Sequence, residues 1–439
     1  MSKQLGVFDT VAEALTAAEA AQKAFVAKTD LAARDKIIAN IKTRFLAKAE
    51  DIAKLELEET KLGVYGHKVF KIQMTSMGIL DTSHLETKSY ASEQGLTIVY
   101  GAPYGVIVGV TPVTNPVATV IGNGACMVVS GNAIVFNAHP SAKLSSAYGV
   151  DLINQAIIEA GGPENLITMV KEPTLETLDQ MVQSPIVRLL VGTGGPAMVK
   201  ALMKSGKKVI AAGAGNPPVI VDETADVETA ALEILKTASF DNNLLCLGEK
   251  EVFVVESVAD RLIKAFENVG CGLLTKEEAD KVLAVAIPVN DKGQREVNKK
   301  LIGKDPAVIL EAAGIKKDKE YGMLIFVAEN ESPFVQMEQM MPVIPIVKCK
   351  DYAQARDWAV VAEHSCRHSA AIWTKNVDRA TEFGRLIDTS IFVQNGNTLA
   401  GAGRNGPTIA TPTGEGICDA NSFTRKRKYA MASGANYIL

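Results

Sequence analysis

No two of the six cysteines, at 126, 246, 271, 349, 366 and 418, stand at a C-x-x-C or other metal-ligand spacing. That absence speaks against a zinc site and a dithiol redox couple, so no metal is expected, and unpaired cysteines fit a reducing cytoplasm. Charge of one sign is lacking too: 46 Lys plus Arg stand against 50 Asp plus Glu, a net charge of −4 spread along the chain. No nucleic-acid or polyanion partner is implied. The most apolar tract, Val106 to Phe136, is broken by Pro112, Asn115, Pro116, Gly122 and Gly124, and the first twenty residues lack a basic-then-apolar pattern. Neither a membrane span nor export is supported. There is no low-complexity linker and no internal repeat.

What is present is an alternating α/β texture. The 439 residues predict about two or three domains with length for a real core. Residues 9 to 60 carry apolar residues three and four apart and read as two amphipathic helices, the second starting near Asp30, packed on a sheet. From about residue 95, short β-branched runs alternate with helical ones. Strands are expected at Val106 to Val110, Ala133 to Phe136, Leu166 to Val170, Ile186 to Val191, Lys208 to Ala211 and Pro218 to Val221, with helices from Ala118 to Val129, from Ser141 to Ala160 and after Gly195. A second α/β region follows the Asp226 helix, with strands near Glu251 to Val255, Met323 to Val327, Ala371 to Thr374 and Ser390 to Val393. This succession indicates βαβ units in a parallel, doubly wound sheet.

Chemistry-bearing residues are few. Cys246 lies in an amide-rich loop, Ala238 to Lys250, between two apolar segments, where a lone thiol reads either as a placed nucleophile or as a small buried hydrophobe. Asn115, before Pro116 at the end of a strand, reads from its local window as a turn former. Gly192 to Gly195 follows a strand and opens a helix, so its N–H groups could meet a phosphate; a tight structural turn is the plainer alternative. Gly401 to Gly406 matches G-x-G-x-x-G, but Pro407 follows at once and the chain ends too early for a βαβ unit, so it is rejected as a dinucleotide fingerprint. His364 and His368, i and i+4 on a possible helix without a zincin carboxylate, read as structural. Arg425 to Lys428 read as a solvated basic face that the phosphates of a ligand could also use.

Five windows carry a resemblance: Gly101 to Pro116, Gly213 to Pro218, Phe240 to Cys246, Met340 to Val343 and Thr411 to Gly416. Over nearly its whole length the chain resembles the aldehyde dehydrogenase superfamily, and within it the CoA-acylating acetaldehyde/propionaldehyde branch. The resemblance implies an α/β fold with a Rossmann-like cofactor domain (1–88 and 108–212), a catalytic α/β domain (213–408), and a small β oligomerisation flap with the C-terminal segment (89–107 and 409–439). It makes Cys246 the nucleophile and Asn115, with the Cys246 N–H, the oxyanion donor. It assigns cofactor contacts to Thr111, Pro112, Thr114, Asn137, His139, Pro140, Thr193, Gly194, Gly195 and Glu338, the last on the nicotinamide ribose. Asn137 and Pro140 replace the usual adenosine-ribose Lys and Glu, which leaves NAD against NADP open.

Hydrolytic members of the superfamily carry a water-activating Glu where this chain has Ala212. A thiol such as that of CoA needs less help than water to attack a thioester, so acyl transfer to CoA is the expected outcome. The reaction expected is oxidation of a short aliphatic aldehyde with NAD(P) and CoA. The resemblance also implies a homodimer or homotetramer. It leaves two locations open, the free cytoplasm and the lumen of a bacterial microcompartment with its shell and co-encapsulated enzymes, since no encapsulation helix precedes Leu5 to Phe8 here. Leu245, where several relatives have Pro, is a second departure.

Overall fold

The computed structural model describes residues 4–93, 95–401 and 416–432. Two parallel sheets organise the chain. The first has six strands in the order Val7–Phe8, Ile167–Val170, Ala133–Asn137, Val106–Val110, Val187–Thr193 and Lys208–Ala212. The second has seven, in the order Cys271–Leu273, Met323–Val327, Val343–Cys349, Glu251–Val255, Pro218–Val221, Ser369–Trp373 and Ile391–Gln394. A separate antiparallel sheet pairs Gly95–Pro103 with both Thr87–Ser92 and Thr424–Ala432. Val106 and Ile107 thus belong to the centre of the six-stranded sheet, not to the flap expected at 89–107.

Strands buried on both faces need apolar residues at every position rather than at alternate ones, and the runs Val106–Val110 and Ala133–Asn137 are buried throughout. The helical lead-in holds three helices where two were expected, Val11–Lys28, Leu31–Ala47 and Ala49–Thr60, and a fourth, Tyr65–Met77, follows. Asp30 caps the second of these, accepting from Ala33 N at 2.8 Å, and Thr10 with Glu13 closes a capping box on the first. Phe25, Phe45, Ile41 and Ile52 from these helices are fully buried in the core that includes Phe136 and Val108.

In the six-stranded sheet the strand order reverses between Val106–Val110 and Val187–Thr193. Ligands of doubly wound sheets bind beyond the carboxyl ends of the strands at such a reversal. The residues there are Thr111–Asn115 and Gly194–Gly195. Of the windows noted above, 402–415 lie outside the described residues, which takes in most of the rejected glycine motif and of Thr411 to Gly416.

Gly109 sits in the central strand where a Cβ would meet the side chains of Ile134 and Phe136 at 2.7 Å. Gly109→Ala is therefore expected to destabilise the protein by about 1–3 kcal/mol through overpacking, read as a lower urea midpoint at unchanged slope.

Candidate active site

Cys246 is carried by a loop with an uncommon backbone. Asp241, Asn242 and Asn243 lie consecutively in the left-handed region, at φ 51°, 57° and 61°. Asp and Asn tolerate this conformation best, and each is tied down here by its side chain. Asp241 accepts from Val64 N at 2.8 Å and from Lys71 Nζ at 2.6 Å. Asn242 donates to Gly303 O and Asp305 Oδ1, and Asn243 donates to Glu249 O and Met341 O. Lys250, fully buried, donates to Asn243 O, Asn243 Oδ1 and Leu245 O, closing the loop on itself.

A second buried network joins this loop to Asn115. The Lys71 ammonium donates to Asn115 Oδ1 at 2.7 Å as well as to Asp241. Lys68, one helical turn earlier, lies 3.5 Å from Asp241 and 3.7 Å from Glu56. Burial would raise the Asp241 carboxyl, but Lys71 and Lys68 prevail and hold it below the usual carboxylate range.

The surroundings of the thiol are set the other way. Burial pushes Cys246 up to about 11, Glu338 adds to the rise, and Lys250 with the Cys246 and Leu247 N–H groups opposes it. Burial also lifts the Glu338 carboxyl to about 7, against the pull of Lys250 and the Gly215 N–H. Burial raises Glu249 to about 7 and Glu251 well above its normal range, and lowers Lys250.

Gly215 packs directly on this loop: a Cβ there would meet Cys246 O at 2.6 Å and the His368 ring at 3.0 Å. Beside Gly215 opens a cleft of about 370 Å³, walled by Pro196, Val199 and Lys200 on one side and by Ala211–Ala214 and the 364–368 turn on the other. Ala212 lines it, and among the described residues no carboxylate does. The cleft, with Lys200 on its wall, lies beyond the end of strand Lys208–Ala212, one strand past the order reversal, and at the reversal itself Thr111 Oγ1 is buried with no protein partner; the two features fit a dinucleotide.

Other expected contacts divide. The Asn137 amide donates to Thr174 O and accepts from Thr177 Oγ1, which ties its side chain to the start of helix Leu175–Gln183. His139 caps the short turn at Pro140–Ala142, accepting from Ser141 N. In the glycine turn the Gly194 N–H donates to Ala212 O and Pro196 has none to give, which leaves Gly195 at the head of helix Pro196–Met203. His364 and His368 are not on a helix, since Tyr352–Ala362 has ended. His364 is exposed on the cleft rim with a left-handed backbone; His368 is buried, bonded through Nδ1 to Ser369, and held neutral near 4 by burial. Arg425–Lys428 lie on the mostly exposed strand of the small antiparallel sheet. Among the described residues no cluster of His, Cys, Asp and Glu has metal-site geometry, and no helix is long and apolar enough to cross a membrane. Lys71, Lys68 and Lys250 escaped sequence reasoning, because a lysine in a polar helix or after an acidic residue reads as surface.

Residues 5–406 match the Aldehyde dehydrogenase family. The chain belongs to that family. This member is 40% identical, over 99% of its own length and 94% of the relative's, to the acetaldehyde dehydrogenase (acetylating) EutE of Escherichia coli strain K12. Its fold superposes with TM-score 0.93 on a propionaldehyde dehydrogenase from the fucose utilisation bacterial microcompartment of Clostridium phytofermentans, at 40% identity over 98% of this chain and 99% of that one. A propionaldehyde dehydrogenase of Rhodopseudomonas palustris, solved with bound CoA and an acylated cysteine, gives TM-score 0.93 at 37% identity, over 97% and 98% of the two chains. The Clostridium enzyme has also been solved with a cysteine and with a histidine replaced by alanine, and those two residues have the same sequence separation as Cys246 and His364 in this family member.

Because thiolate is the reactive form, iodoacetamide labelling of Cys246 is expected to accelerate about tenfold per pH unit from neutrality towards pH 10 without levelling. Glu338→Gln, which removes an adjacent negative charge, moves that profile to lower pH. A wild-type plateau near pH 8, followed by peptide mass spectrometry, would contradict the raised thiol.

Proposed function

We propose that this aldehyde dehydrogenase oxidises a short aliphatic aldehyde, acetaldehyde or propionaldehyde, and transfers the acyl group to CoA, reversibly. The observation that carries this reading is the cleft beside Gly215, which packs on Cys246 O, with Ala212 where a water-activating carboxylate would stand and no carboxylate among its described lining residues. The relatives named as acetylating and the neighbour with CoA and an acylated cysteine support it. Hydrolysis to the free acid is not favoured.

Cys246 attacks the aldehyde carbon as a thiolate, and the carbonyl oxygen becomes an oxyanion received by the Asn115 amide and the Cys246 N–H. Glu338, Thr111, Thr114, Pro112 and the Thr193–Gly195 turn hold a nicotinamide dinucleotide, which when bound supplies the acceptor for the hydride leaving the adduct carbon. The product is a thioester on Cys246. CoA then enters by the same cleft, and His364, an exposed imidazole on its rim, takes the thiol proton. The thiolate of CoA attacks the thioester and Cys246 leaves.

The six-stranded unit serves as the cofactor domain and the seven-stranded unit as the catalytic one. The exposed three-stranded sheet is the surface on which copies pair into a dimer or tetramer. A microcompartment lumen is the setting in which such an enzyme would keep its volatile substrate.

NAD(P)H formation from acetaldehyde and propionaldehyde, with and without CoA, tests the reading. Turnover is expected to require both CoA and Cys246, and to vanish in Cys246→Ala. Full turnover without CoA would overturn it in favour of hydrolysis. In His364→Ala the first burst of NAD(P)H is expected to survive while steady CoA-dependent turnover drops by about 100-fold.

A further inference from the structure

Asn115 occupies the N-cap of helix Pro116–Ser130, where an Asn oxygen ordinarily accepts from the first turn of its own helix, yet it makes no such bond. Glu56 performs that task instead, its Oε1 accepting from Val117 N at 3.0 Å. The Asn115 oxygen is free of the cap because Lys71 holds it at 2.7 Å. The same ammonium donates to Thr114 O at 3.1 Å and to Asp241 Oδ2 at 2.6 Å, so its three protons meet three acceptors. An ammonium offers only donors, so the atom of the Asn115 amide that faces it is Oδ1, and the Nδ2 group is turned the other way, where one of its two protons goes to Thr114 Oγ1 at 3.2 Å and the second is left to give.

We infer that Lys71 is a positioning residue for the oxyanion site: it fixes the Asn115 amide in one orientation and polarises it, so that Nδ2–H donates to the negative charge developing on the Cys246 adduct. The inference rests on the reading of Asn115 as an oxyanion donor given above. Hydrogen bonds in series strengthen one another in a buried setting, and here the series is carboxylate, ammonium, amide, oxyanion. Asp241 supplies the anchor and also begins the loop that delivers Cys246, so one ion pair registers the donor against the nucleophile. Lys68, 3.5 Å from Asp241, keeps a cation beside that carboxylate when Lys71 is replaced.

A double-mutant cycle with Lys71→Met and Asn115→Ala, read by the pre-steady-state burst of NAD(P)H, tests this. Lys71→Met is expected to slow the burst about 10- to 100-fold, within the loss seen for a whole oxyanion donor, while KM for the dinucleotide and the iodoacetamide labelling rate of Cys246 stay within about twofold. In the Asn115→Ala background the same change is expected to cost less than about threefold, because its partner is gone. Lys71→Arg, which keeps the charge, recovers part of the rate. Independent, multiplying losses, or a labelling rate that falls together with the burst, would make Lys71 a general structural residue and overturn the inference. Should Lys71→Met not fold, Asp241→Asn is expected to give a smaller loss with the same dependence on Asn115, and its absence is equally decisive. A full loss in Asn115→Ala with none in Lys71→Met removes this inference alone; no loss in Asn115→Ala removes the oxyanion reading and this inference with it.

Discussion

The structure turns on the Asp241 carboxylate, buried and kept ionised by two lysines of one helix. Asp241, Asn242 and Asn243 hold a backbone that would cost about 1–2 kcal/mol per residue for an ordinary side chain. Such a segment persists only where the surroundings dictate it. Asp241 supplies most of that dictation: its side chain accepts from Lys71, Lys68 and Val64 N, while its own N–H donates to His67 Nδ1. Gly63 approaches so closely that a Cβ would fall 2.0 Å from Asp241 Oδ1, in a left-handed position that glycine alone occupies without strain. Helix Tyr65–Met77 and the loop before it thus form a mould for the cysteine loop, about 170 residues further along the chain.

The two sides of the loop differ in charge supply. Around Asp241, two ammonium groups serve Asp241 and Glu56 together, and the aspartate stays ionised. Around Cys246, a single ammonium, Lys250, faces Glu249, Glu251 and Glu338 as well as the thiol, and its protons are already given to three loop oxygens. One cation cannot neutralise that set in a buried setting, so carboxyls and thiol are all raised. The Glu338 carboxylate adds to the rise of the Cys246 thiol. A ligand that draws Glu338 away from the thiol removes one of the two causes that hold Cys246 protonated.

Much of this was legible in the chain because parallel strands buried on both faces need unbroken β-branched runs. Val106–Val110, Pro218–Val221, Glu251–Val255 and Met323–Val327 could be read to the residue. Val343–Cys349 could not, although it lies well inside the second sheet, since Pro345 within it argues against a central strand. Thr87–Ser92 is exposed at every position and shows no period. Tyr65–Met77 starts without a side-chain cap and buries Lys68 and Lys71, so neither its start nor its inner face has the usual signature. At the site, Cys246, Asn115 and Glu338 could be named from local windows and resemblance. Lys71 gains its meaning only from contacts with Asn115, 44 residues on, and with Asp241, 170 residues on, while Lys250 works within its own loop but shows its burial only in the folded chain.

Ala212 shows how little sequence change separates two reactions on this scaffold. A thioester on Cys246 can be attacked by water or by a thiol, and the protein chooses by what it helps. Water is a weak acid and needs a base within hydrogen-bond reach at the moment of attack. With a methyl group at 212 and no carboxylate among the described residues of the cleft wall, water finds no such base there. A thiol loses its proton far more readily and is intrinsically more nucleophilic towards a thioester, so a rim imidazole such as His364 is assistance enough. The exchange is also nearly balanced, one thioester for another, which makes it reversible where hydrolysis is not. Taking away one carboxylate therefore does more than remove a competing reaction: it preserves the energy of aldehyde oxidation in a bond that CoA can carry off.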